Sequence, residues 1–296
     1  MRHILKQLFR RSTSELRHSL HYLKPSSGEC PFCGKGIKQA SPGLSTPQAD
    51  SRKTYLSYLP PAFTRSICSS CLAAIPWLIP IKCRVCGRGI TCPDCIRRMD
   101  PMFIANRSAV QYSSEMREWL AQYKYRGNER LEPLLAQMML PAFEAITKEA
   151  EKQSFSAQPP SIPIWDAVTF VPVSMERAEE RGFNQAERFA SILAKHHRLP
   201  LYNLLVRERH TGKQSFKTRL ERMKDTQRLF HANPHTMALL RNNVLRSPMN
   251  AQVRSIRILL VDDIYTTGST IGACAAALHQ HSEAPLDIYS LTWARS

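Results

Sequence analysis

The sequence predicts an α/β fold in which a parallel sheet flanked by helices follows an N-terminal cysteine-rich module. Two short apolar runs, at residues 167–173 and 258–261, each lead through a loop into a predicted helix. A third run at 286–293 supplies a final strand, and alternation of strands and helices is typical of a parallel sheet. The expected divisions are a basic extension over 1–29, a cysteine-rich module over 30–100 and the α/β domain over 101–296.

Residues 109–152 are predicted to form a strand and two helices. Residues 109–112 have the character of a short strand, and Ser113 or Ser114 can cap the next helix. Its core-facing residues recur at helical spacing: Met116, Trp119, Leu120 and Tyr123. Gly127 is a suitable stop, and a second helix is expected over 129–152. Residues 123–127 read Tyr-Lys-Tyr-Arg-Gly, which we interpret as core edge and solvated surface, with ligand contact as the alternative.

The second predicted strand, residues 167–173, contains Pro172 near its end. Proline there indicates an edge strand or a change to irregular backbone. Its exit loop is expected over 174–180, after a polar linker at 153–163. A helix over 186–197 then directs apolar residues inward, with Phe189, Ile192 and Leu193 in the helix and Phe183 just ahead of it. Packing leaves three neighbouring polar residues unexplained: Arg181, Asn184 and Gln185.

Composition limits the class of protein. The 296 residues carry a formal net charge of +17, and 43% of them are hydrophobic, as in soluble globular proteins. No stretch approaches the about 20 apolar residues of a membrane-spanning helix, so we expect a soluble cytoplasmic protein without a transmembrane segment. Residues 1–100 hold 16 Lys or Arg against 5 Asp or Glu, whereas 101–296 hold 25 against 19. This bias favours a polyanionic partner such as nucleic acid, although charge for solubility would give the same count.

Eight of the nine cysteines form four Cys-x-x-Cys pairs: Cys30/Cys33, Cys68/Cys71, Cys83/Cys86 and Cys92/Cys95. Two residues between thiolates allow a tight turn to present both sulfurs to one tetrahedral ion, and all-sulfur ligation favours Zn²⁺. A redox motif typically uses a single pair, and cytoplasmic disulfides are rare. The simplest scheme joins the first pair with the second and the third with the fourth, although a crossed pairing or a single site also fits. Cys274 is predicted to be a small core residue.

The most informative motif lies in the C-terminal part of the chain. The apolar run ends in Asp262 and Asp263, and a hydroxyl-rich turn then opens a helix over 271–279. The turn residues are Thr266, Thr267, Gly268, Ser269 and Thr270. Backbone N–H groups of such a turn can bind a phosphate, and carboxylates beside it can accept hydrogen bonds from sugar hydroxyls. A buried strand with an ordinary helix cap is the simpler alternative, but it does not account for the paired acids.

This motif resembles the phosphoribosyl pyrophosphate (PRPP) signature of the type I phosphoribosyltransferases. The resemblance implies a type I phosphoribosyltransferase-like sheet in which Asp262 and Asp263 hold the ribose hydroxyls. It also implies that residues 266–270 hold the 5′-phosphate and that Mg²⁺ accompanies PRPP. The residues expected near the pyrophosphate are Val173, Ser174 and Arg181.

Residues 207–228 carry 8 Lys or Arg and 3 Asp or Glu with few large apolar side chains, so a mobile basic loop is expected. In the phosphoribosyltransferases this place holds the catalytic loop that closes over pyrophosphate. The resemblance implies four candidate residues in it: Thr211, Gln214, Arg219 and Arg222. Arg219 and Arg222 form the candidate catalytic set together with Asp262 and Asp263. A solvated run of charge is the alternative.

The order of the motifs resembles the ComF/GntX family over about residues 30–296. The cysteine pairs are followed by Tyr-Lys-Tyr-Arg-Gly at 123–127, Glu-Arg-Gly-Phe-Asn-Gln at 180–185, Thr-x-x-Gln at 211–214 and the terminal motif. The long spacer between the first two cysteine pairs departs from the family pattern. The resemblance implies a zinc finger, a PRPP site and a role in natural transformation. Family members act with a helicase-like competence ATPase to bring single-stranded DNA into the cytoplasm.

Three functions are compatible with these features. In the first, a DNA-uptake factor binds PRPP or a related phosphoribosyl ligand and contacts single-stranded DNA. In the second, an active phosphoribosyltransferase transfers phosphoribose from PRPP to a nitrogen nucleophile. In the third, a non-catalytic scaffold serves the helicase-like competence ATPase. The charge bias and the resemblance favour the first, and no motif identifies an acceptor for the second.

Overall fold

A four-stranded parallel sheet organises the molecule in a computed structural model, which describes residues 28–37, 56–96, 102–153, 163–208, 229–245 and 255–296. In chain order, the strands of this sheet and of a second, two-stranded sheet are β1 (Ala105–Gln111), β2 (Ala167–Phe170), β3 (Leu205–Arg207), β4 (Phe230–Ala232), β5 (Ile256–Tyr265) and β6 (Leu286–Arg295). The helices are α1 (Pro61–Arg65), α2 (Ser69–Ala73), α3 (Pro93–Ile96), α4 (Ser114–Tyr125), α5 (Leu131–Met138), α6 (Leu140–Lys152), α7 (Met175–Arg181), α8 (Gln185–His197), α9 (Pro234–Leu245) and α10 (Ser269–Gln280).

The order of strands in the parallel sheet is β1-β6-β5-β2. The two central strands have ten residues each and align Val261 with Leu291 and Asp262 with Thr292. Successive apolar residues of both strands are buried, because helices cover both faces of the sheet. The predicted α/β class, with a parallel sheet flanked by helices, is confirmed. Strand β2 lies at the edge and ends ahead of Pro172, as the proline predicts.

Strand β1 is longer than the run of residues 109–112 that the sequence predicts, because polar residues continue it toward Ala105. Four buried side chains form what we call the polar ladder: Asn106, Ser108, Ser290 and Thr292. The Asn106 Oδ1 atom accepts a hydrogen bond from Ser290 Oγ at 2.8 Å, and the hydroxyls of Ser108 and Thr292 lie 2.6 Å apart. Hydrogen bonds therefore replace the apolar pattern that would have revealed the strand.

The single helix predicted over residues 129–152 is two helices. Helix α5 ends at Met138, and α6 begins at Leu140 with Pro141 in its first turn. Proline lacks the backbone N–H and clashes with the carbonyl four residues earlier, so it ends one helix and starts another. Both helices keep apolar residues in the core, among them Leu135 and Ile146.

Residues 174–180, predicted as a loop, belong to helix α7 and its cap. The Ser174 hydroxyl accepts a hydrogen bond from the N–H of Arg177 at 3.4 Å, and Gly182 ends the helix with φ of 75°. The residues between them are mostly Glu, Arg and Ala, which favour helix. No residue of α7 is buried, so the sequence gives no apolar period from which the helix could be recognised.

A two-stranded antiparallel sheet of β3 and β4 lies outside the sequence prediction. Leu205 pairs with Ala232, and Phe230 is buried in the same apolar cluster as Ile271 of α10. Strands of three residues are too short to show a period.

Several predicted segments lie outside the described residues. They are most of the basic extension over 1–29, residues 38–55 of the long spacer between the first two cysteine pairs, most of the linker at 153–163 and residues 209–228 of the basic loop. Within the part of the chain that the structure describes, no helix combines the length and apolar character needed to cross a membrane.

Candidate functional site

Asp262 and Asp263 lie near the carboxyl end of β5, at the edge of the sheet where open α/β folds bind ligands. Both side chains are half-buried. Asp263 forms an ion pair with Lys124 of α4. The backbone N–H of Asp263 donates a hydrogen bond to Asp262 Oδ1 at 2.8 Å, which links the two acids directly.

Burial, followed by the negative charge of Asp263, raises the pKa of Asp262 from 3.8 to about 8. Lys124 and Arg207 oppose this rise through their positive charges. A carboxyl group in this state ionises more readily when a cation or hydrogen-bond donor stabilises its charged form. Binding of a ligand that donates hydrogen bonds to Asp262 is therefore coupled to loss of a proton from it.

The hydroxyl-rich turn follows β5 and opens α10. Gly268 is the N-cap residue with φ of 81°, a conformation that favours glycine. The Thr267 Oγ1 atom accepts a hydrogen bond from the N–H of Ser269 at 3.4 Å. Thr266 and Thr267 are exposed, while Ser269 and Thr270 are half-buried. The first N–H groups of an α-helix have no partner within the helix, so this turn is suited to an anion.

The residues predicted near a pyrophosphate follow β2. Val173 and Ser174 are half-buried, and the Ser174 hydroxyl caps α7. Arg181 donates hydrogen bonds to Gln185 Oε1 at 3.0 Å and to the Tyr125 hydroxyl. Its guanidinium carbon lies 4.6 Å from the centre of the Tyr125 ring. Arg181 is thus attached to the end of α4, and this contact also accounts for Gln185, which apolar packing left unexplained.

The interpretation of residues 123–127 as core edge and solvated surface is right for Tyr123 and incomplete for its neighbours. Tyr123 is buried and donates a hydrogen bond to Glu132 at 2.8 Å. Lys124 instead contacts Asp263, and Tyr125 contacts Arg181. In the sequence, the position of Lys124 between two aromatic residues was the available signal of a role beyond the surface. Only the fold shows that α4 ends beside β5.

Two residues near the acids are absent from the sequence prediction. Burial raises the pKa of Tyr112, with the positive charge of Arg117 opposing the rise and Asp263 adding to it. Burial also lowers the pKa of Arg207, whose charged neighbours include Asp262. Neither residue belongs to a motif, because each reaches the site from a different strand end.

The candidate residues of the basic loop lie outside the described residues. They are Thr211, Gln214, Arg219 and Arg222. The described chain leaves β3 at Glu208 and resumes at Leu229, just before β4. Residues 209–228 therefore connect the two strands of the small sheet in sequence, and Arg207, the last residue of β3, lies near Asp262.

The eight N-terminal cysteines form two groups of four. The first group is Cys30, Cys33, Cys68 and Cys71, and the second group is Cys83, Cys86, Cys92 and Cys95. In each group the sulfur atoms lie within 4.8 Å of one another. All are free thiols, and the 3.6 Å between the sulfurs of Cys33 and Cys68 is far longer than the about 2.05 Å of a disulfide. The grouping matches the simplest predicted scheme.

The chemistry of both groups fits zinc. Zn–S bonds of about 2.3 Å in a tetrahedral site separate the sulfurs by about 3.8 Å, which is compatible with these clusters. Burial raises the pKa of Cys71 and Cys95, so a cation favours their thiolate forms. At Cys68, burial is outweighed by hydrogen bonds from Ser70 and the Cys71 backbone, which lower its pKa to about 6. Each group could therefore hold a metal ion such as zinc.

The first group packs against the α/β core. Phe32, between Cys30 and Cys33, stacks on Trp119 of α4 with ring centroids 3.8 Å apart, and both rings are buried. Gly34 turns the chain after Cys33 with φ of 71°, and its N–H donates to the Cys30 carbonyl at 2.8 Å. The cysteines and α4 thus share one apolar cluster.

The fold and these sites define an α/β protein with paired acids and an anion-suited turn at one edge of its sheet, joined to two potential metal centres. The chain is 29% identical over 239 residues to the competence protein ComFC of Bacillus subtilis, covering 78% of this chain and 84% of that protein. It is 24% identical over 229 residues to the competence protein ComFC of Streptococcus pneumoniae, covering 76% and 86%.

A third relative is named for DNA utilization rather than competence. The chain is 23% identical over 235 residues to the DNA utilization protein YhgH of Salmonella typhi, covering 76% of this chain and 89% of that protein. No family model matches the chain. The similarities to these three proteins span about three quarters of the chain and support its resemblance to the ComF family.

Proposed function

We propose that this protein acts in DNA uptake and binds a phosphoribosyl ligand such as PRPP at the carboxyl edge of its sheet. The relatives named competence protein and DNA utilization protein support the first part. The observation that carries the second part is the position of two acids on β5 directly before the turn that opens α10. These features suit the two ends of a ribose 5-phosphate.

Each group has a distinct role in the proposed complex. Asp262 and Asp263 accept hydrogen bonds from the ribose hydroxyls, while the ion pair with Lys124 orients Asp263. The N–H groups and hydroxyls of residues 266–270 bind the 5′-phosphate. Val173, Ser174 and Arg181 lie near the pyrophosphate, which Mg²⁺ accompanies. The two cysteine groups hold zinc and form, over residues 30–100, a module between the basic extension and the α/β domain.

Contact with single-stranded DNA is the third part of the proposal. The chain carries a net charge of +17 with an excess of Lys and Arg in its first hundred residues, and Lys124 and Arg207 lie near the acids. Arg126 and Arg177 are exposed at the end of α4 and in the first turn of α7. Tyr125 is 59% exposed and offers a ring on which a base can stack. Phosphate contacts and stacking are the usual means of binding single strands.

Titration calorimetry with PRPP, with and without Mg²⁺, tests the phosphoribosyl site. We expect the Asp262→Ala/Asp263→Ala variant to lose at least about tenfold in affinity, because hydrogen bonds to charged groups contribute about 1.5–3 kcal/mol each. Glu151→Ala/Glu283→Ala is the matched control, since it removes the same charge at the opposite edge of the sheet. Both control residues are exposed, Glu151 in the last turn of α6 and Glu283 before β6. Wild type that binds no PRPP under either condition contradicts the proposal.

Two further measurements separate the proposed roles. Fluorescence anisotropy with a labelled single strand tests DNA contact, and no binding even at low salt excludes it. Release of pyrophosphate from PRPP in the presence of candidate bases would instead indicate transfer. A transformation assay in a host lacking its own relative then compares wild type with the double Asp variant. If the double Asp variant folds and transforms as well as wild type does, the scaffold function is favoured.

A further inference from the structure

Arg295, the last residue of β6, connects the second cysteine group to the hydroxyl-rich turn. Its Nη1 atom donates hydrogen bonds to the backbone carbonyls of Tyr265 at 3.1 Å, of Ser296 at 2.6 Å and of Thr266. Its Nη2 atom lies within hydrogen-bonding distance of Cys86 Sγ, at 3.9 Å. The side chain is almost completely buried, with 4% of the residue exposed. One guanidinium group therefore contacts a cysteine sulfur and the first backbone carbonyl of the turn.

The second cysteine group is itself fixed to the sheet. The N–H of Asn106 on β1 donates to the Val85 carbonyl at 2.6 Å, and Asn106 Nδ2 donates to the Cys86 carbonyl at 3.3 Å. A Cβ atom at Gly87 would lie only 2.6 Å from the Asn106 carbonyl oxygen, so only glycine permits this approach. The turn between Cys83 and Cys86 is consequently held against β1 by its backbone, and Arg295 reaches it from β6.

Charge makes the contact between Arg295 and Cys86 depend on metal. Four thiolates around a Zn²⁺ ion carry a net charge of −2, and a cationic N–H donor next to one sulfur partly neutralises it. A hydrogen bond from a charged donor to a thiolate is stronger than one to a neutral thiol. The same guanidinium fork holds the Thr266 carbonyl, so the position of the cation and the position of the turn are linked.

We propose that Arg295 is a positioning residue through which metal in the second cysteine group orders the phosphate-binding turn. Loss of that metal releases one anchor of the guanidinium and loosens residues 265–270. The first cysteine group packs on α4 through Phe32 and has no part in this link. The expected effect on PRPP affinity rests on the proposed function, whereas the expected effect on the turn does not.

Hydrogen exchange on the full, zinc-loaded, ligand-free protein tests the link. Arg295→Lys keeps the positive charge but lacks the two guanidinium nitrogen atoms that contact the Cys86 sulfur and the Thr266 carbonyl at the same time. We expect about tenfold faster exchange in residues 265–270 and about tenfold weaker zinc binding at the second group. Cys86→Ser should loosen the turn similarly. Cys33→Ser is the matched control, because it removes one ligand of the first group and should leave the turn unchanged.

Three outcomes would overturn the proposal. The first is wild-type exchange at the turn in folded Arg295→Lys, which remains decisive if Cys86→Ser fails to fold. The second is Cys33→Ser loosening the turn as much as Cys86→Ser does. The third is wild-type exchange at the turn after zinc has left the second group. If the turn loosens as expected but wild type binds no PRPP, the link stands and the proposed phosphoribosyl function fails.

Discussion

Lys124 at the end of α4 forms an ion pair with Asp263 near the end of β5, and only 11% and 21% of the two side chains are exposed. The pair places a cation from the first flanking helix beside the acids of the C-terminal motif. It also distinguishes the two acids, because Lys124 neutralises Asp263 directly, whereas burial dominates at Asp262. The acidic motif therefore functions together with a residue far from it in the chain.

Lys124→Met should destabilise the protein by about 1–3 kcal/mol, because it leaves the Asp263 charge partly buried without its partner. Urea unfolding at pH 7 measures this loss. Adding Asp263→Asn to Lys124→Met should restore much of it, since the unpaired charge is then absent. Strictly additive effects of the two substitutions would show that the pair is not coupled.

The raised pKa of Asp262 predicts a pH-dependent stability. Between about 4 and about 8 the folded state keeps a proton that the unfolded state has lost, so the free energy of unfolding falls as pH rises through this window. The stabilising contribution is complete below the unfolded pKa of 3.8 and is lost as pH passes about 8.

Asp262→Asn should remove this contribution to the pH profile. The free energy of unfolding of the variant should rise relative to wild type by up to about 1.4 kcal/mol per pH unit across the window. Urea titrations between pH 5 and pH 8.5 measure the difference, with the exposed Glu151→Gln as control. Parallel profiles for wild type and Asp262→Asn would refute a raised pKa at this residue.

Phe32→Ala should cost about 3–5 kcal/mol, because it removes a buried ring that stacks on Trp119. The matched control is Ile96→Ala, whose side chain is 74% exposed and whose loss should change stability by less than about 0.5 kcal/mol. Urea unfolding of both variants provides the comparison. Similar, small changes in stability for Phe32→Ala and Ile96→Ala would show that packing of the first cysteine group on the α/β core does not stabilise the protein.

Zinc content should be close to two ions per chain in the purified protein, as the two groups of four cysteines indicate. Cys33→Ser or Cys95→Ser should lower it to about one, whereas Cys274→Ala should leave it unchanged, because Cys274 is buried on α10. Mass spectrometry of the metal and of the native protein measures this directly. If wild type holds a single zinc and one of the two Ser substitutions leaves it bound, the group that carries that substitution is not a metal centre.

Binding of single-stranded DNA, if direct, should weaken with salt. Arg177→Gln should lower the slope of log affinity against log salt by about 0.7, the value for one phosphate contact to a single strand. Lys195→Gln is the control, since Lys195 is exposed in the last turn of α8, away from the strand ends that hold the acids. An equal effect of the two substitutions would argue against contact near α7.

The parts of the structure that could be predicted from sequence are those whose information is local. The strand, the turn and the helix around Asp262 and Gly268 are contiguous, so an apolar run followed by small hydroxyl residues identifies them. The cysteine grouping follows chain order for the same reason. The sites that combine distant segments could not be predicted, because nothing near Lys124 specifies that α4 ends beside Asp263.

Other failures of prediction have their own physical causes. Helix α7 is exposed and mostly charged, so it has no apolar period, and its cap at Ser174 reads equally well as a loop. The break at Pro141 was readable from the proline itself, yet the apolar period on either side masked it. Strand β1 was shortened in prediction because Asn106 and Ser108, buried within the sheet, are residues typical of turns.

The polar ladder has a consequence for how the chain aligns its strands. Asn106 pairs in register with Ser290, and Ser108 with Thr292. Sliding β1 by one residue would set Arg107 and Ala109 against those hydroxyls and leave four buried polar groups without partners. Apolar contacts tolerate such a shift far more easily than hydrogen bonds do. The ladder thus selects a single alignment of β1 with β6. This alignment also sets the position of Arg295, at the end of β6, relative to the turn between Cys83 and Cys86, which is held against β1.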